Sequence, residues 1–150
     1  MIAEVIAVGD ELTSGQRLDT NSQWLADQLG DLGIRVLYHS TVGDELSPMV
    51  DVYRTASQRA DVIVCTGGLG PTADDLTREA LSKFTGAGLA QVDDVLRHIQ
   101  GIYALRNRPM PERNVVQAIF PHVSRVIPNP KGTAPGIDMH LPACGDRQAR

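Results

Sequence analysis

Residues 66–75 read TGGLGPTADD and combine three glycines, two threonines and two adjacent aspartates. An apolar run precedes them and a helix-like pattern follows. Glycines let backbone amides approach a ligand closely, and a helix start offers unpaired N–H groups to an anion. The alternative is a tight turn whose aspartate only caps the helix. Without the Lys-Ser/Thr of a P-loop or the GxGxxG spacing, it indicates a phosphate-binding turn of another type. The predicted phosphate contacts are Thr66, Gly67, Gly68, Gly70 and Thr72.

The two aspartates, Asp74 and Asp75, would repel a bare phosphate at this turn. Further acids, Asp10, Glu11 and Asp44, follow the first and second apolar runs. Together these carboxylates favour a Mg²⁺-like ion, which binds a few carboxylates plus phosphate oxygens of a substrate. Such a cation would bridge the acids and the phosphate. The alternative is that these acids are solvated or cap helices.

Other polar residues are candidates for sugar or phosphate contacts. Asp10 and Glu11 directly follow an apolar run, where a carboxylate needs a partner such as ribose hydroxyls, a metal ion or backbone amides. Asn21 either contacts the ligand or caps a helix, a role that Asp19 or Thr20 could also fill. In NPKGTAPG, 129–136, Lys131 and Thr133 are candidates for further phosphate contacts, and the alternative for the lysine is a solvated surface position.

Alternating strand and helix patterns must position these residues. Short apolar runs predict strands at 2–9, 34–42 and 61–65, and apolar residues at helical spacing follow each of them. This order predicts βαβ units, a parallel sheet and right-handed crossovers. Because ligands of such sheets bind at the carboxyl ends of the strands, the three acidic loops are expected to converge on one edge.

Local signals give finer expectations for the elements. Residues 10–20 are polar and predict a loop. Ser47 before Pro48 predicts the start of the second long helix. After the glycine-rich turn, we expect Asp74 to cap the helix and Asp75 to face the site. The second half predicts a helix from 92 to 103, a short helix within 112–121, and short strands at 124–130 and 136–142.

Composition bounds the classes of function. A length of 150 residues predicts one domain over 1–150, and a formal net charge of −4 without a basic run argues against nucleic acid as a partner. No stretch reaches the roughly 18 apolar residues of a membrane span. Cys65 and Cys144 lack metal-ligand spacing, which predicts a cytoplasmic setting, with Cys65 a small buried apolar residue. Because the chain stops just after an apparent strand, we expect this domain to be truncated at its C-terminal end.

Four ordered segments carry a family resemblance: GDELTSGQRLDTNSQWLA, TGGLGPTADDLT, RPMPERN and NPKGTAPG. They resemble the N-terminal domain of competence/damage-inducible protein CinA, which is similar to the molybdopterin-binding fold of the MoaB, MogA and gephyrin E-domain proteins. The resemblance covers almost all of residues 1–136. It implies a three-layer α/β/α fold with a mostly parallel sheet, a nucleotide or pterin ligand carrying phosphate, and a homo-oligomer.

The resemblance also implies chemistry. In the related cofactor-synthesis enzymes, the acid after the glycine turn supports metal-dependent adenylyl transfer, a role that falls by position on Asp74 or Asp75. The CinA-type domain is associated instead with metal-dependent hydrolysis of ADP-ribose, and the GLGPTADD form of the turn favours that reading. Some members carry a separate nicotinamide mononucleotide deamidase domain, and no such domain is present in these residues.

Three hypotheses follow. The first is a pyrophosphatase of ADP-ribose-like substrates in which Asp74, Asp75 and Asp44 are catalytic and hold a divalent ion, Mg²⁺, Mn²⁺ or Co²⁺. In it, Asp10, Glu11 and Asn21 bind sugar hydroxyls or water. The second is a non-catalytic module that binds molybdopterin or a nucleotide. The third is an oligomerisation domain of a longer enzyme.

Overall fold

The computed structural model describes residues 1–141. Cys144 and the expected truncation after the last strand lie outside these residues. The described chain divides into two compact units, Met1–Gly68 with Leu141 and Leu69–His140. The expectation of a single domain stays a prediction. Within residues 1–141, no helix has the length and apolar character needed to cross a membrane.

A parallel sheet forms the first unit. Strand β1, Ile2–Val8, lies at its centre between β2, Arg35–Val42, and β3, Val62–Thr66, and both neighbours run parallel to it. The predicted strands were right to within one residue at each end. The predicted parallel α/β architecture is therefore confirmed for this unit.

Helices cover both faces of that sheet. The helices of the first unit are α1 Asp10–Thr13, α2 Thr20–Asp31 and α3 Leu46–Arg59. On one face, Leu29 of α2 packs with Ala3 and Val5 of β1. On the other face, α3 buries Tyr53, whose hydroxyl lies 3.4 Å from the Cys65 sulfur. Since side chains of a strand alternate between faces, this sheet is the middle of three layers.

A buried ion pair joins α3 to the central strand. Glu4 is 0% exposed, and its carboxylate accepts hydrogen bonds from Arg59 Nε at 2.8 Å, Arg59 Nη2 at 2.7 Å and Ser40 Oγ at 2.6 Å. The Arg59 guanidinium also lies 4.1 Å from the centre of the Tyr38 ring. Every oxygen of this buried carboxylate is thus satisfied, as burial of a charge requires.

The second unit mixes helices with two antiparallel strand pairs. Its elements are α4 Thr77–Thr85, β4 Leu89–Gln91, α5 Asp93–Leu105, a 3-10 helix Glu112–Ala118, β5 Ile119–Pro121, β6 Arg125–Ile127 and β7 Gly136–Asp138. Strand β4 pairs with β5 and β6 pairs with β7, both antiparallel. The core contains Val95 and Ile99 of α5 with Ala118 and Phe120.

In the first unit, two local expectations for helix starts were wrong. Residues 10–13 form the one-turn helix α1 rather than a loop, because the Gly9 carbonyl accepts from the amides of Leu12 and Thr13. Helix α3 begins at Leu46, two residues before Pro48, and its first carbonyl acceptor is Glu45.

The two expectations for side chains that cap helices had different outcomes. Asp19 caps α2, since its Oδ1 accepts from the amide of Ser22 at 3.0 Å, which is one of the three alternatives considered. The expectation that Asp74 caps the helix after the turn was wrong. Helix α4 begins only at Thr77, its N-cap position is Leu76, and no side chain caps it.

Candidate functional site

The glycine-rich turn begins with two residues in left-handed conformations. Gly67 has φ 99° and Gly68 has φ 64°. A Cβ on Gly67 would collide with the Val8 carbonyl oxygen of the neighbouring strand. Gly67 is therefore glycine because the backbone of β1 approaches it closely, a packing reason that the ligand-based interpretation of the turn did not include.

The Asp75 carboxylate folds back over the turn. Its Oδ1 accepts from the amide of Gly70 at 2.7 Å, and its Oδ2 accepts from the amide of Thr72 at 2.8 Å and from the Thr72 hydroxyl. We call these three bonds the Asp75 clasp. A Cβ on Gly70 would collide with this carboxylate. The predicted phosphate donors Gly70 and Thr72 are thus directed at Asp75, which orders the loop from within.

Asp74 has a different environment. It is exposed, and the Thr72 hydroxyl, which it shares with Asp75, together with its own backbone amide lowers the pKa of its carboxyl below the usual value. An aspartate with the ordinary pKa is already ionised at neutral pH, and the lowered pKa favours the same charged form of Asp74. Of the two neighbouring aspartates, Asp75 builds the loop and Asp74 presents its charge to solvent.

Arg78 stabilises the same loop through its carbonyl groups. It is 1% exposed, and its guanidinium donates to the carbonyls of Leu69 and Gly70. Desolvation lowers the pKa of this guanidinium from its usual value, and the nearby charges of Glu79 and Asp75 oppose that shift. The buried cation therefore holds the carbonyl side of the turn while Asp75 holds the amide side.

A buried amide pair ties the 3-10 helix to this loop. Asn114 Nδ2 donates to Gln117 Oε1 at 2.8 Å, and Gln117 Nε2 reaches the Leu69 carbonyl at 3.5 Å. The Leu69 carbonyl oxygen thus accepts hydrogen bonds from both Gln117 and Arg78. The 3-10 helix and the loop are connected through one carbonyl.

An open pocket of about 520 Å³ lies beside the loop within the second unit. Thr72, Asp75, Glu79, Arg113 and Val116 contribute to its wall. Its volume falls in the range of about 300–1,000 Å³ typical of small-molecule sites. Glu79 Oε2 is buried and has no hydrogen-bond partner among the described residues. The pocket thus combines a cation, carboxylates and a hydroxyl with an apolar side.

The first unit holds a second acidic arrangement. Asp44 Oδ2 accepts from the amide of Asp10, and Asp10 Oδ1 accepts from the amide of Asp44, both at 3.0 Å. This reciprocal pair links the chain after β1 to the chain after β2. The structure thus brings together Asp10 and Asp44, whereas Asp74 and Asp75 belong to the second unit. The convergence of all four stays a prediction.

The other predicted contacts are dispersed. Asn21 is exposed in the first turn of α2. Glu11 lies against Gly9, with its carboxylate where a Cβ on that glycine would stand. Lys131 is exposed, and its amide donates to Asn129 Oδ1 at 3.0 Å. Thr133 lies in the same β6–β7 connection.

The arrangement of the carboxylates determines which of them could coordinate a divalent ion. Among residues 1–141, no group of three or more His, Cys, Asp or Glu side chains is arranged to hold a metal. Both oxygens of Asp75 already accept hydrogen bonds from the loop. An ion held by one carboxylate plus phosphate oxygens of a ligand needs no such group. Exposed Asp74 fits that lesser role.

Two residues of this site were not predicted from the sequence. Arg78 interrupts the apolar pattern of α4, and a basic residue in the first turn of a helix opposes the helix dipole. That unfavourable position was the available signal that it serves the turn instead. Arg113 stands in RPMPERN, a segment used only for the family resemblance, and nothing in its local pattern marks it as a pocket residue.

Comparison with known proteins adds family information. Residues 4–143 match the family described as "Probable molybdopterin binding domain". A "Putative competence-damage inducible protein" of Caldicellulosiruptor bescii is 44% identical over 137 residues, which are 91% of this chain and 33% of that protein. The chain thus spans about a third of the length of the curated relatives it matches.

Two solved structures are similar in fold. The protein CinA of Thermoplasma acidophilum, whose function is given as unknown, superposes with a TM-score of 0.84 at 34% identity, covering 91% of this chain and 80% of that one. The molybdopterin biosynthesis enzyme MoaB of Thermus thermophilus has a TM-score of 0.54 at 25% identity, covering 73% and 67%.

Proposed function

The chain belongs to the molybdopterin-binding domain family in its CinA form, and we propose that it is a module that binds a phosphorylated pterin or nucleotide at the loop after β3. The observation that carries this proposal is the Asp75 clasp beside the open pocket. Small-molecule sites are usually concave and combine apolar walls with a few precisely placed polar groups, and the ordered turn places such groups beside the open pocket. The family description and the MoaB similarity support a pterin among the candidates.

Calorimetric titration tests this proposal. The ligands are neopterin monophosphate and ADP-ribose, each with and without Mn²⁺. Saturable binding of either ligand supports the proposal. The proposal is contradicted if neither ligand produces binding heat in calorimetry or chemical-shift changes in an NMR titration of the protein.

The variant Asp75→Asn tests the role of the clasp. The amide that replaces one carboxylate oxygen faces an N–H donor, so a part-buried or exposed donor of the loop loses its acceptor, which costs about 0.5–1.5 kcal/mol. We expect a lower melting temperature and loss of most ligand affinity, measured by calorimetry. Asp31→Asn, which neutralises an exposed acid at the end of α2, is the matched control and should behave as the unaltered protein. Equal affinity of the Asp75 variant and the control would contradict the role of the clasp.

A second candidate is metal-dependent hydrolysis of a nucleotide diphosphate such as ADP-ribose. The observation that favours it is the exposed, ionised Asp74 at the edge of the loop. Asp74 would hold the divalent ion together with phosphate oxygens of the substrate. Such an ion would polarise the phosphoryl group and supply activated water.

Release of AMP from ADP-ribose in the presence of Mn²⁺ tests the second candidate. We expect Asp74→Asn to abolish that release while metal-free ligand binding persists, because Asp74 takes no part in the clasp. Turnover that equals the protein-free blank, in a sample that binds ADP-ribose, leaves the binding module as the function.

A further inference from the structure

Arg113 is the cationic side chain in the wall of the pocket. Asp75 and Glu79 line the same pocket and carry the opposite charge. Cationic side chains at a pocket wall commonly hold the anionic group of a ligand, and arginine does so with two parallel N–H donors. The position of Arg113 in the pocket wall therefore suits it to bind an anionic group of a ligand.

The described residues give Arg113 no partner. It is exposed, and its side chain makes no hydrogen bond or ion pair with another of the described residues 1–141. The arginines that form ion pairs with acidic side chains are Arg54, Arg59, Arg97 and Arg125. Arg113 keeps its donors available at the pocket, although carboxylates line the same wall.

The fold fixes where the Arg113 backbone stands. The next residue, Asn114, is buried and donates to Gln117, which in turn reaches the Leu69 carbonyl. Arg78 donates to that same carbonyl. The residue after Arg113 is thus connected through Gln117 to Leu69 of the loop. The backbone of Arg113 is therefore held beside the loop before a ligand arrives, and only its side chain has to be ordered on binding.

We propose that Arg113 binds the phosphate of the ligand and that the pocket prefers a phosphate ester of a nitrogen heterocycle over free inorganic phosphate. This inference rests on the proposed binding function. Asp75 and Glu79 repel a free anion from the same wall, because like charges at close range are unfavourable. A ring that carries N–H donors, such as a pterin or an adenine, offsets this repulsion by donating hydrogen bonds on the acidic side while its phosphate faces Arg113.

Arginine substitution tests this assignment. In calorimetric titrations with ADP-ribose and neopterin monophosphate, we expect Arg113→Ala to weaken binding about tenfold or more, the loss typical of a charge-assisted hydrogen bond. Arg113→Lys should recover part of the affinity, since it restores the charge without the paired donors. Arg108→Ala, an exposed arginine outside the pocket, should match the unaltered protein. Equal affinity of the Arg113→Ala and Arg108→Ala variants would overturn the proposal.

A second measurement separates this inference from the proposed function. If neither organic ligand binds the unaltered protein, the proposed function fails. The Nε–Hε NMR signal of Arg113 is then followed during titration with millimolar inorganic pyrophosphate. A saturable shift of this signal, absent for Arg108, supports anion binding by Arg113, and an unmoved signal overturns it. If the organic ligands do bind the unaltered protein, we also expect pyrophosphate to bind more weakly than ADP-ribose. The reverse order of affinities would contradict the stated preference for a phosphate ester.

Discussion

At the scale of single residues, two adjacent aspartates of one motif have separate roles. Both were predicted to serve a metal site, yet Asp75 accepts three hydrogen bonds from its own loop while Asp74 is solvent-facing. The division predicted from the sequence, with Asp74 as the helix cap, was wrong for Asp74, because the roles depend on which carboxylate reaches the amides of Gly70 and Thr72. That reach is a property of the folded turn.

Glu4 gives a pH-dependent prediction at the same scale. Burial alone would raise the pKa of its carboxyl, but the hydrogen bonds from Arg59 and Ser40 and the charge of Arg59 outweigh it and hold the pKa below the ordinary value of 4.5. Because the folded-state pKa is depressed, the stabilisation is fully present above about pH 4.5 and is lost as the pH falls through the folded-state value.

Glu4→Gln should therefore lower the free energy of unfolding at pH 7 by about 3 kcal/mol, the lower end for breaking a buried pair because Arg59 is partly exposed. The difference from the unaltered protein should shrink on acidification below pH 4.5. Urea unfolding at several pH values measures both effects. Glu112→Gln, at an exposed position, is the control, and a pH-independent difference for Glu4→Gln would contradict the explanation.

At the scale of elements, the long apolar patterns were read correctly, and so were the positions of the short strands β6 and β7 and of the 3-10 helix, whereas two other short strands were missed. Strands β1, β2 and β3 were predicted to within a residue, because each is a continuous apolar or alternating run. Strands β4 and β5 were missed, because β4 is exposed along its whole length and β5 directly follows a helical pattern and ends in Pro121. They are strands through their pairing with each other, which depends on residues about 30 positions apart.

The turn that follows β3 gives a prediction for an element boundary. Gly67→Ala would place a Cβ against the Val8 carbonyl in a left-handed conformation, at a cost of about 1–3 kcal/mol or more. Gly101→Ala, within α5 where no atom lies near the new Cβ, should instead stabilise the protein by about 0.5–1 kcal/mol. Thermal denaturation of the two variants is expected to shift in opposite directions. A shift in the same direction would show that the Val8 contact does not decide the residue at this turn.

At the scale of the whole molecule, charge sets one expectation. Eighteen acidic residues outnumber fourteen basic ones, and the sequence contains no basic run. Since binding to a polyanion needs clustered Lys and Arg, we expect no saturable binding to duplex or single-stranded DNA at low salt, measured by fluorescence anisotropy. A salt-sensitive binding curve would contradict this expectation.

The family could be recognised from the sequence because each of its four motifs is a continuous stretch of residues. The match to the molybdopterin-binding domain family and the superposition on CinA confirm it. The site could be located only in part. The clasp, the buried Arg78 and the pocket position of Arg113 join residues that local patterns do not connect. The chain also spans about a third of its curated relatives, so the activities of those whole proteins are a separate question.

The Asp75 clasp has a consequence for the timing of order in this loop. A glycine-rich segment is conformationally free in the unfolded chain, and fixing each residue costs about 1–2 kcal/mol of backbone entropy. Here that loss occurs during folding, when the carboxylate collects the amides of Gly70 and Thr72. For the proposed ligand, an ordered loop predicts association that is governed by diffusion and desolvation and not by a search among loop conformations.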